Sequence, residues 1–323
     1  MTGQPPSWFG AALETPAEEG GAKVDGARIR YRAWGERGRR GAVLVHGTAA
    51  HAHWWDHIAP QLPDGMRVAA LDLSGHGDSD WRERYSLDQW AAEVVAVAAD
   101  AGISGAPYII GHSLGGSVAI RAAELHGPDL AGIVVIDTPL FEALRAAPPG
   151  LQEPAMSFGG DRTYPSRETA LARFRLVPEH PVLPYVREHV ATSSVADGGD
   201  GTWGWKFDRG LFGKMAPPVS PVRGRAGCRV AILRAQHGLM TPEMVEILGE
   251  RLGRMTVFEI PAAGHHVLLD EPLCLVTALR AVLAGWTSPI VSGALDSRIE
   301  VLDSNFNCAA GKGLRASSRM RGA

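Results

Sequence analysis

The sequence predicts an α/β fold: a doubly wound, mostly parallel sheet with a helical insertion over one end of its strands. Three observations carry this. Ala42-Val43-Leu44-Val45, Tyr108-Ile109-Ile110 and Gly132-Ile133-Val134-Val135-Ile136 are apolar throughout, as strands covered on both faces must be. Segments of helical period alternate with them, the order of a sheet wound with helices on both sides. The runs lead into His46-Gly47, His112-Ser113 and Asp137, and open α/β sheets bind ligands at the carboxyl ends of their strands.

Composition narrows the possibilities. At 323 residues and 45% hydrophobic, the chain is long enough to bury a large core. A net charge of −3 gives no electrostatic basis for a nucleic-acid or anionic-membrane partner. Cys228, Cys274 and Cys308 are odd in number and far apart, which suits reduced thiols in the cytoplasm better than a disulfide framework. Met1-Thr2-Gly3-Gln4-Pro5-Pro6 lacks the basic start and apolar core of a secretion signal. No apolar run approaches the roughly 18 residues of a spanning helix, so no membrane partner is expected.

Taken in order, residues 1–22 are rich in Pro, Gly and Glu and read as a surface extension, and residues 23–140 and 222–286 as the core. Ala27 to Trp34 alternates apolar and polar residues, the mark of a half-buried antiparallel strand. Ala42 to Val45 is a central strand, followed by a segment in which Trp54-Trp55 would pack a first helix against the sheet. Arg67 to Asp72 is the next strand, and it ends in the loop Leu73-Ser74-Gly75-His76-Gly77-Asp78-Ser79. Ser86 caps a helix that runs to Ala101, with Leu87, Trp90, Val94 and Val97 on one face. Residues 141–221 break the alternation with many prolines, one short helix near Ser166 to Leu176, and nine of the chain's 22 aromatics. They read as a lid whose aromatics line an apolar pocket, or else pack among themselves. Strands resume at Cys228 to Leu233 and Thr256 to Ile260, and a helix from Pro272 to Ala284 closes the core. The tail, 287–323, has no usable periodicity and reads as disordered.

The stretch that organises the site is Gly111-His112-Ser113-Leu114-Gly115-Gly116. A strand that turns sharply into a helix needs small residues two places before and after the turning residue, because a Cβ there would strike neighbouring backbone. Gly111 and Gly115 meet that need and leave the Ser113 hydroxyl exposed at a helix N-terminus. This stretch, with His46-Gly47, the Gly75-His76-Gly77-Asp78-Ser79 loop and Gly264-His265, resembles the α/β-hydrolase family in order and spacing across about residues 24–286. The resemblance implies about eight mostly parallel strands and, with serine as nucleophile, an acyl-enzyme mechanism. It implies no particular substrate.

A serine hydroxyl needs a base within hydrogen-bond reach. His265 stands where the family keeps its histidine, with the adjacent His266 as the alternative. The backbone N–H groups of Thr48 and Leu114 would form the oxyanion hole. The acid departs from the commonest family pattern, which places an Asp just beyond the penultimate strand. Here Ile232-Leu233 is followed by Arg234-Ala235-Gln236-His237-Gly238-Leu239-Met240, with no carboxylate before Glu243. Some members carry the acid after the strand that follows the nucleophile helix, where Asp137 stands. Asp137 is therefore the favoured acid and Glu243 the alternative; an Asp137 that only caps its loop stays open.

The expected activity is a serine hydrolase for a small or medium apolar ester, thioester, lactone or related carbonyl substrate, working without cofactor or metal. A cofactor-free perhydrolase or lyase, or a degenerate ligand-binding member, is the alternative. His51, His53 and His57 have the look of metal ligands, but with no clustered carboxylate or cysteine among them, loop polarity explains them better. His76 and Asp78 are expected to be structural, and His112 to face away from the reaction.

Overall fold

The computed structural model describes residues 4–140, 163–216, 225–287 and 300–301. In chain order the strands are β1 (Glu18–Val24), β2 (Ala27–Trp34), β3 (Gly41–Val45), β4 (Arg67–Leu71), β5 (Tyr108–His112), β6 (Gly132–Ile136), β7 (Val195–Asp197), β8 (Trp203–Trp205), β9 (Arg229–His237), β10 (Thr256–Gly264) and β11 (Glu300–Val301). The helices are α1 (Ser7–Glu14), α2 (Leu87–Asp100), α3 (Leu114–His126), α4 (Arg167–Leu171), α5 (Pro184–Ser193), α6 (Leu211–Lys214), α7 (Pro242–Leu252), α8 (Val267–Asp270) and α9 (Pro272–Thr287).

The main sheet has the order β1-β2-β4-β3-β5-β6-β9-β10-β11, with β1–β2 and β2–β4 antiparallel and the remaining pairs parallel. Strands β3, β4, β5 and β6 are buried at every residue. Their side chains alternate between two cores. Ile109, Ile133 and Val135 face a core shared with Trp90 and Val94 of α2 and Val118 of α3, whereas Ile110, Val134 and Ile136 face one shared with Trp55, Val190 of α5 and Leu279 of α9. The Ser86 cap forms as the sequence predicts, its hydroxyl accepting from the Gln89 N–H at 3.2 Å.

Parallel register places the site. Val45 of β3 pairs with Gly111 of β5, His112 with Ile136 of β6, and Ile136 with Leu233 of β9. The residues that follow, Ser113, Asp137 and Arg234, therefore emerge in one row, with His46 level with His112, one step before it. The ladder continues through it: Ser113 N–H donates to the Ile136 carbonyl at 3.0 Å, and Asp137 N–H to the Leu233 carbonyl at 2.9 Å.

Four expectations need correction. Residues 1–22 are more than a surface extension, since α1 buries Phe9 and Ala12 and the edge strand β1 begins at Glu18. Trp54 and Trp55 pack against the sheet as expected, but from a 3-10 turn, Ala52–Trp55, and not from a helix. The segment between β6 and β9 is not purely helical: α4 ends at Leu171, and β7 and β8 pair as an antiparallel hairpin. In the tail, Glu300–Val301 pairs parallel with Thr256–Val257 at the sheet edge. The rest of the tail, residues 141–162 and residues 217–221 lie outside the described residues.

Residues 163–216 dock on the Gly75–Ser79 loop. Gly77 N–H donates to the Lys206 carbonyl and Asp208 N–H to the Gly75 carbonyl, each at 2.7 Å, and Lys206 pairs with Asp78 at 2.8 Å. His76 is fully buried in this contact, so the loop is structural, as expected. Of the aromatics read as pocket wall, Phe174 is buried and packs beside Trp205, which in turn meets Tyr164 edge-on.

Candidate active site

Ser113 sits at φ 54° and ψ −119°, a strained conformation that the flanking glycines make possible. A Cβ on Gly111 would lie 2.0 Å from the Gly115 carbonyl oxygen, and one on Gly115 would lie 2.2 Å from that of Val45. Both obstacles are backbone and cannot rotate aside. The sharp turn leaves the hydroxyl at the head of α3, where helix dipole and free N–H groups favour developing negative charge.

His265 links the row. Its Nε2 lies 3.1 Å from Ser113 Oγ and its Nδ1 lies 2.7 Å from Asp137 Oδ2. A carboxylate can only accept, so Nδ1 carries the proton and Nε2 is left free to take one from the serine. Asp137 is wholly buried and stands at φ 39°. Besides the imidazole, its carboxylate accepts backbone N–H bonds from Ala235 at 3.2 Å, Leu239 at 2.8 Å and Met240 at 3.3 Å. Such a buried charge is costly unless paired and bonded, and here it is both.

The structure thus brings Ser113, His265 and Asp137 together and leaves the two alternatives out. Glu243 is exposed in the first turn of α7, where its carboxyl bonds the Thr241 side chain. His266 is turned toward Pro178, whose carbonyl its Nε2 meets at 3.2 Å, and burial holds its ring well below the ordinary histidine range. Leu114 follows the serine directly, and the loop that carries Thr48 approaches it. Leu114 is the first residue of α3, so its N–H has no acceptor within the helix. The loop of Thr48 lies against the nucleophile, since a Cβ on Gly47 would come within 3.2 Å of Ser113 Cβ.

Three contributors were missed by sequence reasoning. His112 does not face away from the site: its Nε2–H donates to the His265 carbonyl at 2.7 Å, beneath the His265 ring. Burial first, and then the neighbouring His265, push its pKa down to about 3, so it acts as a neutral strut. Thr138 Oγ1 donates to the Ser113 carbonyl at 3.0 Å and braces the elbow from just beyond β6. The segment Ala235–Met240, conspicuous for lacking a carboxylate, supplies the N–H groups that grip one. Only the last had a signal, in its Gly238 turn.

The sequence reading also overlooked a carboxylate among the histidines after His46. Asp56 Oδ2 accepts from His53 Nδ1 at 2.8 Å and from His189 Nε2, on α5, at 3.0 Å.

Comparison with known proteins agrees with this architecture. Residues 42–279 match the model of the alpha/beta hydrolase family. The chain is 30% identical over 268 residues to the esterase Rv0045c of Mycobacterium tuberculosis, covering 81% of this chain and 88% of that protein. It is 24% identical over 276 residues to the lipase LipV of the same organism, covering 79% of this chain and 97% of that one. Among solved structures, E-2-(acetamidomethylene)succinate hydrolase superposes with a TM-score of 0.71 at 20% identity, over 83% of this chain and all of that one. With a family model spanning most of its length and a relative 30% identical over 81% of it, the chain belongs to the alpha/beta hydrolase family.

Proposed function

We propose that this protein is a serine hydrolase of esterase type. The observation that carries the reading is the continuous hydrogen-bonded row from Ser113 Oγ through His265 to Asp137, at 3.1 and 2.7 Å. The names of its relatives, an esterase and a lipase, support it. His265 Nε2 accepts the Ser113 proton as Oγ attacks the substrate carbonyl carbon. The N–H groups of Leu114 and Thr48 hold the resulting oxyanion. His265 then returns the proton to the leaving alkoxide or thiolate, and the acyl group remains on Ser113. A water, deprotonated by the same imidazole, attacks the acyl carbon and releases the acid, restoring the serine. Asp137 keeps its charge throughout, fixing the tautomer of His265 and stabilising the imidazolium that forms. No step calls on a cofactor.

The substrate class is a small or medium apolar ester, thioester or lactone, with the described part of the insertion, residues 163–216, acting as a lid. The degenerate-site alternative rested on the missing acid beyond Leu233. Asp137 in bonding distance of His265 removes that support.

A fluorophosphonate probe should label the wild-type protein, and Ser113→Ala should abolish both labelling and turnover of p-nitrophenyl esters. A folded wild-type protein that neither reacts with the probe nor turns over any p-nitrophenyl ester in a series of increasing acyl length would overturn the proposal.

A further inference from the structure

His53, Asp56 and His189 bring two ring nitrogens and one carboxylate oxygen within 4.8 Å of one another, on the side of the molecule where α5 crosses the segment that follows Thr48. His53 and Asp56 are three apart on a 3-10 turn and so share its face, and His189 reaches them from α5. We propose that these three side chains form a binding site for a divalent transition-metal ion, zinc or copper in preference to magnesium or calcium, which ties α5 to the turn after the oxyanion loop.

Ligand type, spacing and access each favour this. Two imidazoles and one carboxylate form a set that suits zinc, copper or nickel, whereas magnesium and calcium want oxygen. Metal–nitrogen and metal–oxygen bonds of about 2.0–2.2 Å put tetrahedral ligand atoms about 3.3–3.5 Å apart. Asp56 Oδ2 stands 2.8 Å from His53 Nδ1 and 3.0 Å from His189 Nε2, so a cation needs these contacts to open by about half an ångström. Asp56 is nearly buried while the two histidines are about a quarter exposed, leaving an approach from solvent and a fourth position for water.

Arg32 is the competitor to consider. Its Nε bonds Asp56 Oδ1 at 2.9 Å, which orients the carboxylate and leaves Oδ2 for the metal. Its charge is shared with Glu19, to which it is also paired. A second histidine cluster, His112, His265 and His266, brings its ring nitrogens equally close. There, however, His265 has both nitrogens engaged by Ser113 and Asp137, and His112 Nε2 is held by the His265 carbonyl. The site at Asp56 shares no residue with the proposed Ser113 machinery, so the two proposals stand or fall separately.

The test is calorimetric titration of the full, tag-free chain with zinc chloride, alongside His53→Gln and His189→Gln. Glutamine keeps a hydrogen-bond donor for Asp56 but is a poor metal ligand, so both variants should stay folded by their unliganded melting curves. The expected result is one zinc per wild-type chain, a rise in Tm because the ion binds only the folded state, and affinity at least about tenfold weaker in each variant. Magnesium should produce neither signal. Wild-type protein that binds no zinc overturns the proposal. So does zinc binding undiminished in both variants with loss of fluorophosphonate labelling, which would put the metal on the His112, His265 and His266 cluster.

Discussion

Asp137 is the residue on which the proposed chemistry depends most. Its carboxylate is buried, receives three backbone N–H groups and faces Nδ1 of His265, so replacing it with asparagine would place an amide N–H against one of these donors or offer His265 the wrong partner. Asp137→Asn should lower kcat by about 10⁴ while leaving fluorophosphonate labelling slow but detectable. Glu243→Gln, at an exposed position, should stay within about twofold on the same substrate. Comparable losses in both variants would contradict the assignment. At this scale Ser113, His265 and Asp137 were legible because each follows an apolar run in the order of the family. His112 and Thr138 were not, because their roles lie in single hydrogen bonds to carbonyl groups that any residue type could offer. Asp56 stood in view three residues after His53, but its second partner, His189, stands 133 residues further along the chain, so the cluster itself could not be read.

Among the elements, the elbow between β5 and α3 admits the least change. Gly115→Ala would press a methyl group to 2.2 Å from the Val45 carbonyl oxygen, so β3 and α3 must separate. The variant should lose about 3 kcal/mol or more of stability in urea titration and lose probe labelling with it. Gly10→Ala, with nothing within 4 Å of the new methyl group, should stay within about 1 kcal/mol of wild type. Central strands β3 to β6 were readable because burial on both faces leaves an uninterrupted apolar run. Strand β1 was not: Glu18-Glu19-Gly20-Gly21 is an edge whose first residues are exposed, and glycine hides the alternation that side chains would show. The hairpin of β7 and β8 is three residues a side, too short for a period of two to register.

For the whole molecule, buried imidazoles set the response to acid. Six histidines among the described residues, His46, His51, His57, His76, His112 and His266, are driven below the ordinary range, foremost by burial; His57 and His76 come down to about 4. The unfolded chain protonates these rings below about pH 6.5, whereas in the folded chain His57 and His76 resist until about pH 4 and the other four are held down in the same direction. Over that interval the unfolded state binds more protons, so stability is full above it and declines as pH falls through it. Asp72, whose carboxyl burial raises to about 6, and Glu93, also raised by burial, act in the opposite direction but are outnumbered. The urea midpoint should drop steadily from pH 7 to pH 5, and His57→Gln with His76→Gln should flatten the curve; a midpoint independent of pH would contradict this account. The turn after β9 bears a different consequence. A Cβ on Gly238 would fall 2.1–2.4 Å from the Asp137 carboxylate atoms, so a side chain starting there would enter the volume that carboxylate already fills. Gly238 follows β9 directly, so in this chain the volume at His265 Nδ1 is open to a side chain from the end of β6 and closed to one from the end of β9; Gly238→Ala should displace the Asp137 carboxylate and lower turnover with it.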